Sequence, residues 1–400
     1  MRQLLLWPAL LLAGASHAQT FRVVTGTVAD ARTQAVVPFA SLAVPGQPGG
    51  TVANTEGLFR LALPAGADSV RVQALGYLPL MVGTKNASAA LTVRLQPQPY
   101  PLQEVTVTAL APTTLLKRAV RQTTARMASP VGLEVYYREF TSYNGQIAKF
   151  ADALVDYYLK GDPRRPRNPE VQVRVRESRA GEAAMSKDDA RRAIPSPLSV
   201  ERAGNYYDVT EGNPYLDSTT FKFYSYVVLE TPAGATEAPY YEVRCMPTTQ
   251  DPAHLRQATV CIDRQTLAIQ RVESEIPTRL QPYLKSINLL VIKAQATQAR
   301  KRIEYRELNG RLYPSFVRLQ AALNITQGSN PTMRYEFTSE MLVRDLAASP
   351  APFTKSEQHS GSLFKRGTHF TRPYWREGNV VAATAAEEAA IQALEKAAGQ

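Results

Sequence analysis

Outside its first twenty residues the chain offers three histidines, two cysteines and a few clusters of charge on which chemistry could be built. His254, His359 and His369 are followed by Leu-Arg-Gln, Ser-Gly-Ser and Phe-Thr-Arg. A catalytic zinc usually takes three protein ligands, often His and Glu at helix spacing. Neither H-E-x-x-H nor H-x-x-E occurs, and no G-x-S-x-G elbow, phosphate-binding loop or G-x-G-x-x-G is present. The sequence therefore predicts no catalytic residue, no metal and no cofactor. Asp188-Asp189 and Glu387-Glu388 lie in helix-like contexts, where solvated surface charge is the ordinary reading rather than an acid and base pair.

The arginines are the sharper candidates, because a guanidinium binds phosphate or carboxylate through two parallel hydrogen bonds. Arg164, Arg165, Arg167, Arg174 and Arg176 form the candidate anion site, with Arg179, Arg191-Arg192 and Arg300-Lys301-Arg302 as further clusters. Lipopolysaccharide phosphates and acidic glycans are ligands such a site could reach; surface charge on a β-rich protein is the alternative. Cys245 and Cys261 sit in strand-like runs with residues 247–257 between them. A symmetric hairpin would bring the thiols face to face, and a bridge there would contribute roughly 3 kcal/mol; two small buried apolar residues are the other reading. Adjacent tyrosines, such as Tyr136-Tyr137, Tyr157-Tyr158 and Tyr240-Tyr241, should send one ring to each face of a sheet.

The elements that would position these groups read mainly as strands. The 400 residues are 44% hydrophobic and 20% charged, with 46 Lys+Arg against 35 Asp+Glu and a net charge of +11, an ordinary globular balance with room for two or three domains. Residues 1–18 read as a secretory signal peptide: Arg2, an apolar run from Leu4 to Ala15, and a small-residue exit at Ser16-His17-Ala18. No window is apolar for long enough to span a bilayer as a helix. Short strands are expected at 21–28, 39–44, 57–63, 69–74 and 91–95, separated by Gly, Pro and Asn turns, which is the pattern of a β-sandwich. A helix capped by Thr113 and Thr114 should run over 115–127. About ten antiparallel strands follow between 133 and 343, although 147–159 also has helical periodicity. A helical turn is expected at 187–192, the Asn309-Gly310 pair signals a hairpin, and 382–398 returns to helix.

Gly26-Thr27-Val28, Val37-Pro38-Phe39-Ala40, Asn54-Thr55-Glu56-Gly57-Leu58-Phe59 and Val72-Gln73-Ala74-Leu75-Gly76-Tyr77 together resemble the carboxypeptidase-regulatory-like domain. That family is a transthyretin-like sandwich common in exported proteins of Gram-negative bacteria. It is the accessory domain of metallocarboxypeptidases, so the resemblance implies no peptidase activity. Leu102-Gln103-Glu104-Val105-Thr106-Val107-Thr108-Ala109 resembles the segment that follows the same sandwich in TonB-dependent receptors, but too little chain follows for a barrel of about 22 strands. Residues 261–273 resemble one hairpin of periplasmic lipoprotein-carrier half-barrels, a likeness of fold alone.

The fold expected is mainly β: an N-terminal transthyretin-like sandwich, then a curved, half-barrel-like antiparallel sheet with flanking helices. Its parts are a signal peptide (1–18), the sandwich (21–96), a linker (97–114), the β-rich domain (115–346) and a C-terminal extension with a helix (347–400). The function expected is non-enzymatic binding of a ligand or partner in the periplasm or at the outer membrane, peripheral to the bilayer. Envelope proteins, glycans and lipids are the expected partners, and nucleic acid is not. An accessory scaffold for outer-membrane assembly or transport is the alternative, and a hydrolase with no visible motif is a distant third.

Overall fold

In the computed structural model, residues 21–85, 90–98, 111–162, 165–183, 198–229, 239–289, 292–328, 330–376 and 378–397 are described. The expected signal peptide, the turn at 187–192 and the receptor-like segment 102–109 lie outside them. The first seven strands are β1 (Phe21–Asp30), β2 (Ser41–Ala43), β3 (Gly50–Val52), β4 (Leu58–Pro64), β5 (Ser69–Gln73), β6 (Leu80–Gly83) and β7 (Leu91–Leu95). They form two sheets, β4-β1-β7 and β3-β2-β5-β6, which enclose Val24, Val28, Leu42, Phe59, Leu61, Val72 and Leu95. This is the expected sandwich, and two of its glycines have plain physical reasons. Gly57 adopts φ +72° in a turn whose Asn54 side chain accepts from the amides of Glu56 and Leu58, both at 2.9 Å. At Gly26 a Cβ would stand 2.0 Å from the Leu91 carbonyl oxygen, so the parallel pairing of β1 with β7 requires glycine there.

A helix, α1 (Pro112–Arg126), follows. The expected Thr113 and Thr114 caps are not what starts it. Ala111 stands at the N-cap without a side-chain bond, and Pro112, with its preset φ, occupies the first turn. The second body is one open sheet of eleven antiparallel strands: β8 (Val131–Tyr143), β9 (Gln146–Asp162), β10 (Arg165–Glu182), β11 (Tyr224–Leu229), β12 (Tyr240–Pro247), β13 (Gln257–Asp263), β14 (Ile269–Glu275), β15 (Ser286–Leu289), β16 (Ile292–Leu308), β17 (Arg311–Gln327) and β18 (Met333–Leu346). The order is β10-β9-β8-β18-β17-β16-β14-β13-β12-β11, with β15 beside β16. Asn309-Gly310 (φ 50° and 76°) makes the expected tight turn, and Asn144-Gly145 (φ 48° and 83°) makes another between β8 and β9. The helical periodicity of 147–159 loses to pairing: β9 is hydrogen-bonded on both sides, to β8 and β10. Residues 221–223 are a 3₁₀ turn that leads directly into β11.

One face of the sheet is apolar. Val135, Tyr137, Val155, Tyr157, Val260, Val272, Ile303 and Val317 pack there against Leu115, Leu116 and Ala119 of α1, against the short helix α2 (Val200–Gly204), and against Tyr207 and Tyr215. The tyrosine pairs divide as expected, with Tyr137 in this core and Tyr136 on the other face beside Leu154. The chain ends in α3 (Ala385–Ala397), opened by a reciprocal cap in which Glu387 accepts from the Thr384 amide at 2.9 Å and donates its own amide to Thr384 Oγ1 at 3.1 Å. Its Ile391 and Leu394 cover Phe140 and Phe150.

Candidate functional site

Residues directly opposite each other in antiparallel strands share a face, and on the face turned away from the apolar core the registers line up one rung of charge. It runs Arg179, Asp152, Arg138, Glu340, Arg318, Arg302, Glu273, Thr259, Arg244, one residue from each of nine strands from β10 to β12. Much of it is deeply buried: Asp152 is 0% exposed, Glu340 1% and Arg138 3%. Asp152 is saturated, accepting from Arg179 Nη2 at 2.8 Å, Tyr136 at 2.8 Å and Tyr374 at 2.6 Å. Glu340 bridges Arg138 and Arg318. Burial alone would raise the Glu340 pKa, but the two guanidiniums outweigh it and hold the carboxyl below its ordinary value. Glu304, two residues along β16 from Arg302, is likewise held down against burial by Arg302 and Arg271.

The sandwich sits on this rung. Arg302 and Arg318 are adjacent like charges, and Phe39, held at φ +56°, places its ring 5.7 Å from one guanidinium and 4.7 Å from the other. Its carbonyl also accepts from Arg302 Nη2 at 2.6 Å. Nearby, Arg306 and Tyr313 both donate to the Pro48 carbonyl at 2.8 Å, and Val52 packs on Phe316, Leu342 and Val381.

Three clefts open where the sandwich meets this face. A cavity of about 730 Å³ lies between Phe39 and Thr55 of the sandwich and Arg244, Met246, Thr259, Glu273, Arg302 and Arg318 of the sheet. One of about 580 Å³ lies beside α3, and one of about 680 Å³ lies between β6 and the β12 to β16 strands. In the first, Arg302 pairs with Glu273 at 2.6 Å and Arg300 with Glu275 at 3.0 Å, whereas Arg244 is exposed and has no ion-pair partner among the described residues.

Arg179 and Arg302, among the further clusters singled out in the sequence, belong to the rung, whereas the arginines of the candidate anion site are not brought together in these clefts among the described residues. Arg174 pairs with Asp156 at 2.9 Å and Glu357 at 3.0 Å, and Arg176 with Glu134 at 3.1 Å and Asp156 at 3.0 Å, so both are matched by carboxylates. Arg165 and Arg167 lie on β10, and Arg164 is outside the described residues. Strand alternation splits Arg300-Lys301-Arg302: Lys301 turns to the apolar face and donates to the Gly212 carbonyl at 2.6 Å. Burial there pushes its pKa well down.

The expected disulfide is not formed. Cys245 pairs with Ala258 and Cys261 with Glu242, so the thiols are three positions apart along the hairpin and on opposite faces, and both are free. Cys261 receives a hydrogen bond from Arg271 at 3.4 Å, and burial pushes its thiol up to about 12, which keeps it protonated and unreactive. His254 stacks on Phe223 at 4.2 Å and pairs with Asp251 at 3.1 Å. No group of three or more His, Cys, Asp or Glu side chains among the described residues is placed to hold a metal ion.

The rung was hidden in the sequence because each strand contributes a single residue to it. The available signal was a charge inside an apolar run, as at Tyr136-Tyr137-Arg138 and Glu340-Met341-Leu342.

Among solved structures the chain is similar to a LolA superfamily protein from Nitrosomonas europaea, with 9% identity, 60% of this chain and 96% of that chain covered, and a TM-score of 0.22. It is also similar to a DUF1329 family protein from Desulfovibrio piger, with 11% identity, coverages of 62% and 99%, and a TM-score of 0.25. No curated protein matches. Residues 24–107 match the family model of the CarboxypepD_reg-like domain, past the boundary expected at 96, so the part of this chain that docks on the charged face is similar to that domain.

Proposed function

We propose that the protein is a non-enzymatic binding protein of the cell envelope, and that an extended polyanion such as an acidic glycan or a phosphorylated glycolipid headgroup lies in the cleft at the Arg244 end of the rung. The observation that carries this reading is a cationic row with an unmatched member: Arg244 is exposed and unpaired, while Arg302 and Arg318 stand side by side farther along. Three strand spacings separate Arg244 from Arg302, about 14 Å, so one small anion would not engage both. The leader-like N-terminus and the CarboxypepD_reg-like domain support an envelope location. No described helix is long and apolar enough to cross a membrane. Both thiols are buried and held protonated, so neither is a ready nucleophile.

Calorimetric titration with oligogalacturonate at low salt, beside neutral dextran, tests the reading. Oligogalacturonate should bind, added salt should weaken it, and Arg244→Glu should weaken it by about tenfold. Binding no tighter than dextran, or indifference to Arg244→Glu, would sink it. The scaffold reading would then stand, favoured by an open sheet whose last strand, β11, pairs with β12 alone.

A further inference from the structure

At the other end of the rung, the cleft of about 580 Å³ contains a cation that no carboxylate among the described residues neutralises. Arg60 projects from β4 toward it. Its Nη2 donates to the Arg376 carbonyl, its Nε is buried without an acceptor, and no described carboxylate pairs with it. Desolvation accordingly pulls its pKa down with no ion pair opposing it. Removing a charge from water without a counter-charge is costly, and Arg376, whose carbonyl accepts from Arg60, lines the same cleft with an exposed side chain that is also unpaired among the described residues. The other arginines of the cleft are already matched: Arg138 by Glu340, and Arg179 by Asp152 and Glu395. One carboxylate at the rim, Glu388, accepts from Gln392 on its own helix.

Besides Thr25, Thr27, Tyr136 and Gln392, the wall carries apolar side chains. Phe140 and Phe150, with ring centroids 5.7 Å apart, lie under Ile391, and Trp375 stands half-buried at the side. Arg138 stands 5.3 Å over Phe140, and Arg179 4.9 Å over Phe150 and 3.9 Å over Trp375, so guanidiniums and aromatic rings line one cleft and together match a molecule that is anionic at its head and apolar along its tail. The volume is within the range of small-molecule pockets, roughly 300–1,000 Å³.

We propose that this cleft binds a single-chain organic anion, its carboxylate or phosphate head on Arg60 and Arg376 and its tail against Phe140, Phe150, Trp375 and Ile391. The site is separate from the polyanion cleft and stands whether or not that reading holds.

Trp375 supplies the readout, because the only other tryptophan is Trp7 in the leader-like segment. The full chain carrying Trp7→Phe is titrated with dodecanoate, dodecyl phosphate, dodecyl maltoside and inorganic phosphate, following Trp375 fluorescence and heat. Saturable binding of one or both anionic amphiphiles is expected, and their ratio identifies the preferred head. The neutral amphiphile and inorganic phosphate should each bind at least about tenfold more weakly. Arg60→Gln should weaken the anionic amphiphiles by about tenfold, and Gln392→Phe, which fills the cleft from the exposed side of α3, should weaken them with Arg60 intact. Arg244→Glu should leave this binding unchanged. Equal binding of dodecyl maltoside, equal binding of inorganic phosphate, or no saturable binding of either anionic amphiphile overturns the proposal.

Discussion

Two buried carboxylates show how surroundings decide what a residue can do. Glu340 has two guanidiniums and stays ionised, so Glu340→Gln should leave Arg318 without its carboxylate partner and the buried Arg138 with Glu387 alone, 3.5 Å away. The expected loss is about 3–5 kcal/mol in chemical denaturation, and a loss below 1 kcal/mol would show the rung to be dispensable. Glu139, also buried, has no cation; it accepts from Leu363 N at 3.0 Å and from the hydroxyls of Ser362 and Tyr137, with Tyr157 nearby. Burial pushes its pKa up to about 7, from 4.5 in the unfolded chain. Between these values the folded state holds a proton that the unfolded state has lost, so this carboxyl lowers stability as pH rises from about 4.5 to about 7. The effect is on the order of 3 kcal/mol. Glu139→Gln should flatten that part of the curve of unfolding free energy against pH; an unchanged slope would refute the assignment. The free cysteines give a third check at this scale. Alkylation of the unfolded protein without reductant should label both thiols, and a mass two hydrogens lighter with no label would restore the bridge.

Elements were legible in proportion to how local their causes are. The strands, Asn309-Gly310 and the terminal helix follow from alternation and turn chemistry within a few residues, and the structure has them close to where the sequence places them. The cysteine pairing failed because it assumed a symmetric loop, whereas residues 247–257 include a 3₁₀ turn capped by Asp251, and the strands meet in a register three positions off. The rung could not be read at all, since it depends on eight registers at once. At this scale Gly26→Ala should break the pairing of β1 with β7, where a Cβ has no room beside Leu91. A fall of several degrees in the melting temperature is expected, against little change for Gly83→Ala, which faces open space. Thr384→Ala removes the reciprocal cap of α3 and should cost about 1 kcal/mol.

Across the whole molecule, the sandwich and the large sheet share polar and apolar contacts at Phe39, Pro48 and Val52. They should therefore melt together in one calorimetric transition, and Phe39→Ala, which strips the ring from between Arg302 and Arg318, should lower that transition or split it. Two well-separated transitions in the unaltered protein would contradict the coupling. The order of the strands also limits where the chain can change in length. Side chains alternate faces at every residue, so a one-residue deletion at Asn309-Gly310 or Asn144-Gly145 that slid one strand past its neighbour would carry arginines and glutamates into the apolar core and valines out under the sandwich. Length variation among relatives of this chain should accordingly spare the two Asn-Gly turns, which keep a constant length.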